Sequence, residues 1–164
     1  MVVPLLRALG WTPQKMGIEW NHVDVALFQK LPRVDENLRV VVEAKRMNLS
    51  CLSARSQALG YAQGRKACHR LIVTDGLRYG VYRRNKDKSF TLHAYMNLAR
   101  LRNEYPILDC HGAREALLSM APEWSMKPNP SLKRSANGRP PGPVWRYAVH
   151  FRQPGPGVLP SSPA

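Results

Sequence analysis

The chain has 164 residues, and its 25 Lys and Arg against 11 Asp and Glu leave a net charge of +14. That length suits one domain with an appendage and is enough to bury a core. The charge points to a polyanionic partner, nucleic acid or an acidic membrane surface, although a basic surface that is merely solvated has the same composition. No segment approaches the ~18 apolar residues of a membrane span, so no membrane-spanning helix is expected.

Three scattered cysteines (Cys51, Cys68, Cys110) form no CxxC and predict a reducing compartment without disulfides. The pairs Cys68-His69 and Cys110-His111 lack zinc-ligand spacing. The opening MVVPLLRALGW is apolar but short and carries no basic leader, so no signal peptide is expected and the cytoplasm is the default.

Residues 4–9 predict a short helix, with Pro4 in its first turn and Gly10 just past its end. MGIEW (16–20) and VDVALF (23–28) predict two strands joined tightly around Asn21-His22. After a polar turn at 32–37, residues 38–45 (LRVVVEAK) predict a central strand buried on both faces, because three β-branched valines run together. A helix is predicted over 53–63, with Ser53 as N-cap and Gly64 as stop. Strands follow at 71–74, 79–82 and 90–95, the last two around the charged hairpin 83–88, and closing helices at 97–102 and 112–120. The helix between two very apolar strands predicts a parallel crossover. The expected architecture is α/β: a mixed central sheet flanked by helices on both faces.

Composition changes after Trp124. Residues 126–164 hold nine of the 14 prolines and six basic residues with no acid, so 1–125 still carry 19 basic and 11 acidic side chains, a charge of +8. A stretch like 126–164 cannot bury enough apolar area to offset its chain entropy, and a disordered basic tail is expected. Its WRYAVHFR (145–152) interleaves aromatic and basic groups that suit nucleic acid. The tail also resembles the translated repeat that ends many unrelated bacterial reading frames.

The chemistry concentrates at Glu43-Ala44-Lys45. Two ionisable side chains end an apolar strand, and alternation puts both on one face with Ala44 on the other. Asp24 interrupts a second apolar strand, and if the two strands are neighbours it can stand opposite Glu43. Two such carboxylates repel unless a proton or a cation lies between them. A hard divalent ion such as Mg²⁺ answers that, and an ordinary Asp/Glu–Lys salt bridge at a sheet edge is the plainer alternative. Gln57 and Tyr61, four apart, share one face of the following helix and can overhang the same cleft.

Taken together, LLRALGW, VDVALF around Asp24, VVVEAKR around Glu43 and Lys45, Gln57-Ala58-Leu59-Gly60-Tyr61, TDGLRYGVY and AYMNLARLR resemble the N-terminal nuclease domain of the type I restriction enzyme R subunit, in the PD-(D/E)XK superfamily. The resemblance covers roughly residues 4–124. It implies a restriction-endonuclease-like fold over 1–125 and a magnesium- or manganese-dependent DNA endonuclease. Asp24, Glu43 and the carbonyl of Ala44 would ligate the ion, and Asp24, Glu43 and Lys45 would be catalytic. Lys45 would orient or help deprotonate the attacking water. Gln57 and Tyr61 would contact the DNA backbone or hold the site in shape, and Arg46, with Lys66, Arg70 and Arg83, would reach phosphates. Family members carry a longer first helix with an acid upstream, whereas the first acid here is Glu19, so an N-terminally truncated domain is expected. There is no GxxxxGK[ST], hence no ATP site in this chain, and motor functions would fall to other restriction-system subunits. The rival readings are a catalytically inactive nucleic-acid-binding remnant of the same fold and a protein-interaction remnant.

Overall fold

The computed structural model describes residues 2–46 and 50–125. The expected tail, 126–164, lies outside the described residues. Helix α1 (Val2–Ala8) ends where Gly10 takes φ +105°. Gly10 N–H donates to Arg7 O and Trp11 N–H to Leu6 O, the paired bonds of a Schellman turn. Strands β1 (Met16–Trp20) and β2 (Val23–Phe28) then form an antiparallel hairpin with Trp20 opposite Val23. Its two turn residues, Asn21 and His22, both have positive φ, as a twist-matched two-residue turn requires.

Strand β3 (Leu38–Ala44) pairs antiparallel with β2 and parallel with β4 (Arg70–Thr74). The crossover between them contains a 3₁₀ turn (Cys51–Ala54) and helix α2 (Arg55–Ala62), so the helix expected at 53–63 is shorter and begins as 3₁₀. Gly64, with φ +85°, stands where the stop was expected. Strands β5 (Arg78–Arg84) and β6 (Phe90–Asn97) continue the sheet antiparallel. Two short strands, β7 (Glu104–Tyr105) and β8 (Cys110–His111), close it in the order β1-β2-β3-β4-β5-β6-β8-β7, with β8 parallel to β6. Helices α3 (Ala113–Met120) and α4 (Pro122–Ser125) follow.

The helix expected at 97–102 is not formed. Asn97 ends β6, and its side-chain oxygen accepts the N–H of Ala99, a local bond that competes with helix. The Tyr105 hydroxyl accepts from Asn97 N–H at 3.2 Å and donates to Arg100 O at 3.1 Å, which pins the turn.

Each face of the sheet has its own core. Val25, Val40, Val42, Ile72 and Val81 pack with Leu6 of α1 and with Ala116 and Met120 of α3. Ala26, Val41, Leu71 and Val73 pack with Ala54 and with Ala58 and Ala62 of α2. This is the expected mixed α/β arrangement, with the valine run of β3 buried from both sides. Trp11 donates from Nε1 to Met120 O at 2.8 Å and ties the end of α1 to α3. No helix among the described residues is long and apolar enough to cross a membrane. The three cysteines are unpaired.

Two glycines differ in a way that can be measured. A Cβ on Gly112 would stand 2.1 Å from the backbone carbon of Asn103, whereas one on Gly60, exposed on α2, meets nothing within 4 Å. Gly112→Ala is expected to destabilise by about 1–3 kcal/mol, since backbone must move. Gly60→Ala is expected to stabilise by about 0.4–1 kcal/mol by removing freedom from the unfolded chain. Urea denaturation of the two variants checks the opposite signs.

Candidate functional site

Val40 and Val42 face α1 and α3, while Val41 faces α2. Continuing that alternation puts Glu43 and Lys45 on the α2 face at the carboxyl end of β3. The contacts agree: Lys45 Nζ lies 3.6 Å from Glu43 Oε1 and also donates to Gln57 Oε1 of α2. Gln57 Nε2 donates in turn to the Tyr61 hydroxyl at 3.1 Å, one helical turn on. Lys45 N–H donates to Thr74 O at 2.7 Å, so the parallel register with β4 holds the lysine backbone in place.

Asp24 joins this group from β2. The β2–β3 ladder stops at Val25 opposite Val42, one step short of pairing Asp24 with Glu43. There the Asp24 side chain takes over, its Oδ2 accepting Ala44 N–H at 2.6 Å. A strand residue turns its N–H and C=O to the same edge, so the Ala44 carbonyl shares the Asp24 side. Asp24, Glu43 and Lys45 are thus brought together, with Gln57 and Tyr61 behind the lysine.

Glu43 is 2% exposed, and its Oε2 has no hydrogen-bond partner among the described residues. Burial pushes its pKa up, the Asp24 charge pushes it further, and Lys45 offsets only part of this. A buried carboxylate oxygen without a partner beside a second carboxylate is the setting that a divalent cation satisfies. Two carboxylates and a strand carbonyl form an all-oxygen set, hard enough for Mg²⁺ or Mn²⁺, and these residues fit such an ion. No group of three or more His, Cys, Asp or Glu among the described residues is placed to hold a metal, so water would have to complete the shell, as Mg²⁺ readily allows.

The expected phosphate contacts divide. Arg46 and Lys66 are exposed. Arg70 is fully buried, which corrects its expected role: it cannot reach a nucleic acid. It lies two residues before Ile72 on the α3 face, donates to His69 O at 3.0 Å, and has its pKa pushed down to about 10 by burial and by Arg83. Arg83, half-buried, is its ladder partner on that same face, away from Lys45.

The sequence reading missed a second polar group. Glu115, a buried acid on α3, has its Oε1 3.1 Å from Nε2 of His93. The one available signal was an acid inside the apolar pattern of 112–120. The chain matches no known family, no curated protein and no solved structure.

The state of Glu43 predicts a pH effect. Its folded pKa is raised, so its contribution to stability is present below the ordinary carboxylate range and is lost as pH rises through the folded value. With EDTA present, the stability of Glu43→Gln relative to the wild type should therefore rise with pH, by on the order of 1–3 kcal/mol at neutrality. Urea denaturation across a pH series measures that difference, and a constant difference refutes the account.

Proposed function

We propose that this chain carries a metal-dependent DNA endonuclease-like domain of PD-(D/E)XK type, related to type I restriction R subunit N-terminal domains, which hydrolyses phosphodiester bonds. One observation carries the reading: the convergence of Asp24, Lys45 and a buried, half-satisfied Glu43 at the end of one strand. The mixed sheet and the crossover from β3 through α2 to β4 are compatible with a restriction-endonuclease-like fold.

In this reading Asp24, Glu43 and the Ala44 carbonyl hold Mg²⁺ or Mn²⁺. The ion, when bound, supplies Lewis acidity and an acidified water. Lys45 is the one cation in the group, anchored between Glu43 and Gln57, and it orients the attacking water and offsets charge on the phosphate. Gln57 and Tyr61 hold the lysine in register and line the approach of the DNA backbone. Exposed Arg46 and Lys66 add phosphate contacts that give affinity without sequence choice. The resemblance further implies restriction-system subunits as partners and the cytoplasm as the place of action.

The second reading, a nucleic-acid-binding remnant without turnover, is favoured by one observation: no third His, Cys, Asp or Glu among the described residues joins the two carboxylates.

Nicking of supercoiled plasmid separates the readings. Wild type should nick in Mg²⁺ and stop in EDTA. Lys45→Ala should lose at least about 100-fold in rate while keeping its circular dichroism, because the half-exposed lysine belongs to the site and not to the core. Equal nicking by both proteins refutes the assignment, and salt-dependent binding without cleavage in any metal establishes the second reading.

A further inference from the structure

A cavity of about 550 Å³ is walled by β5, β6 and the β7–β8 segment. It shares no lining residue with the carboxylate site. Small-ligand sites span roughly 300–1,000 Å³, so this volume admits a phosphate with an attached sugar.

The strand chemistry that builds it is specific. The β5–β6 ladder pairs Val81 with Ala94 and Tyr82 with Leu92, so His93 is an extra residue in β6. Leu92 packs into the α2-side core and Ala94 into the α3-side core, which places the change of face at His93. Bulges of this kind re-aim one side chain and recur beside functional sites. Here the bulge turns His93 toward α3, where Glu115 meets its Nε2 at 3.1 Å. A carboxylate on one ring nitrogen fixes the orientation of an imidazole. His111 of β8 stacks edge-on to it, with ring centroids 5.1 Å apart. Arg83 and Thr91 line the same cavity.

We infer that this cavity recognises a phosphate monoester, held by the Arg83 guanidinium and the His93 and His111 imidazoles. A guanidinium offers five N–H groups in a planar fork that matches phosphate geometry. The exposed acids Glu104 and Asp109 also line the cavity, which restricts the anion to the side formed by Arg83 and the histidines. Two other uses fit less well. His93, His111 and Cys110 do not group as metal ligands among the described residues. Burial and Asp109 push the Cys110 thiol up, so it stays protonated and is a poor nucleophile.

The phosphate can come from a mononucleotide or from the 5′ end of a nucleic acid. Imidazole NMR signals of the full chain at constant pH, titrated with inorganic phosphate, AMP, and an oligonucleotide with or without a 5′-phosphate, distinguish the sources. The His93 and His111 signals should move saturably with phosphate. His111→Gln, at an exposed position, and Arg83→Gln should each weaken that binding about tenfold or more. Lys45→Ala should bind phosphate as the wild type does, which separates this site from the nuclease reading. A response to AMP alone assigns a small-molecule ligand, and a response confined to the 5′-phosphorylated strand assigns a nucleic-acid end. Either supports the site. Absence of saturable shifts, or unchanged affinity in both variants, overturns it.

Discussion

The structure turns on what happens when a strand buried on both faces ends in a carboxylate. Val40, Val41 and Val42 fill two cores, and the chain then places Glu43 at the same depth. An unpartnered buried carboxylate oxygen costs on the order of 1–3 kcal/mol or more, several times what a typical exposed ion pair returns. Lys45 does not cancel that cost. It sits 3.6 Å from one oxygen, beyond hydrogen-bond length, and directs its ammonium to Gln57 as well. Asp24 adds to the cost, since its charge raises the pKa of Glu43. Selection for stability alone would replace this acid with another valine. In the proposed nuclease reading, a bound cation would offset that cost.

The rest of the fold serves that position. The β1–β2 hairpin fixes the height of β2, so that Asp24 falls where the β2–β3 ladder gives out and can bond the Ala44 amide in place of a strand partner. Parallel pairing with β4 extends β3 by one more bond, from Lys45 N–H to Thr74 O. Just beyond, Asp75 accepts the N–H groups of Leu77 and Arg78 and closes the turn into β5. The crossover returns α2 over the same face and delivers Gln57. Binding sites on open sheets commonly form at the carboxyl ends of parallel strands, and among the described residues only β3 and β4 supply such a pair in the centre of the sheet.

Much of this was legible because it is local. Alternation alone put Glu43 and Lys45 on one face, the triple valine marked the central strand, and Asn21-His22 marked the tight hairpin. What was not legible depends on distant or competing bonds. Residues 97–102 have helical composition, yet the Asn97 side chain and a hydroxyl eight residues away in sequence secure a turn. Arg70 reads as surface charge because sequence gives no sign that Glu115, 45 positions later, helps to accommodate a guanidinium in the core. The His93–Glu115 contact needs a bulge, and a bulge shows only when the partner strand is known.

The two polar centres place opposite demands on one sheet. The carboxylate site gathers two acids at the carboxyl end of β3, in a chain of net charge +14, and in the proposed nuclease reading a bound cation would offset their charge before a phosphate approached. The His93 cavity gathers guanidinium and imidazole groups around one buried acid whose ionised form is favoured: burial opposes that charge, but the bond to His93 and the charges of His93, His111 and Arg114 outweigh it. In the proposed readings, one centre would reach an anion only through a metal, whereas the other would take an anion directly. The valine run of β3, buried from both sides, lies between the two faces of the sheet.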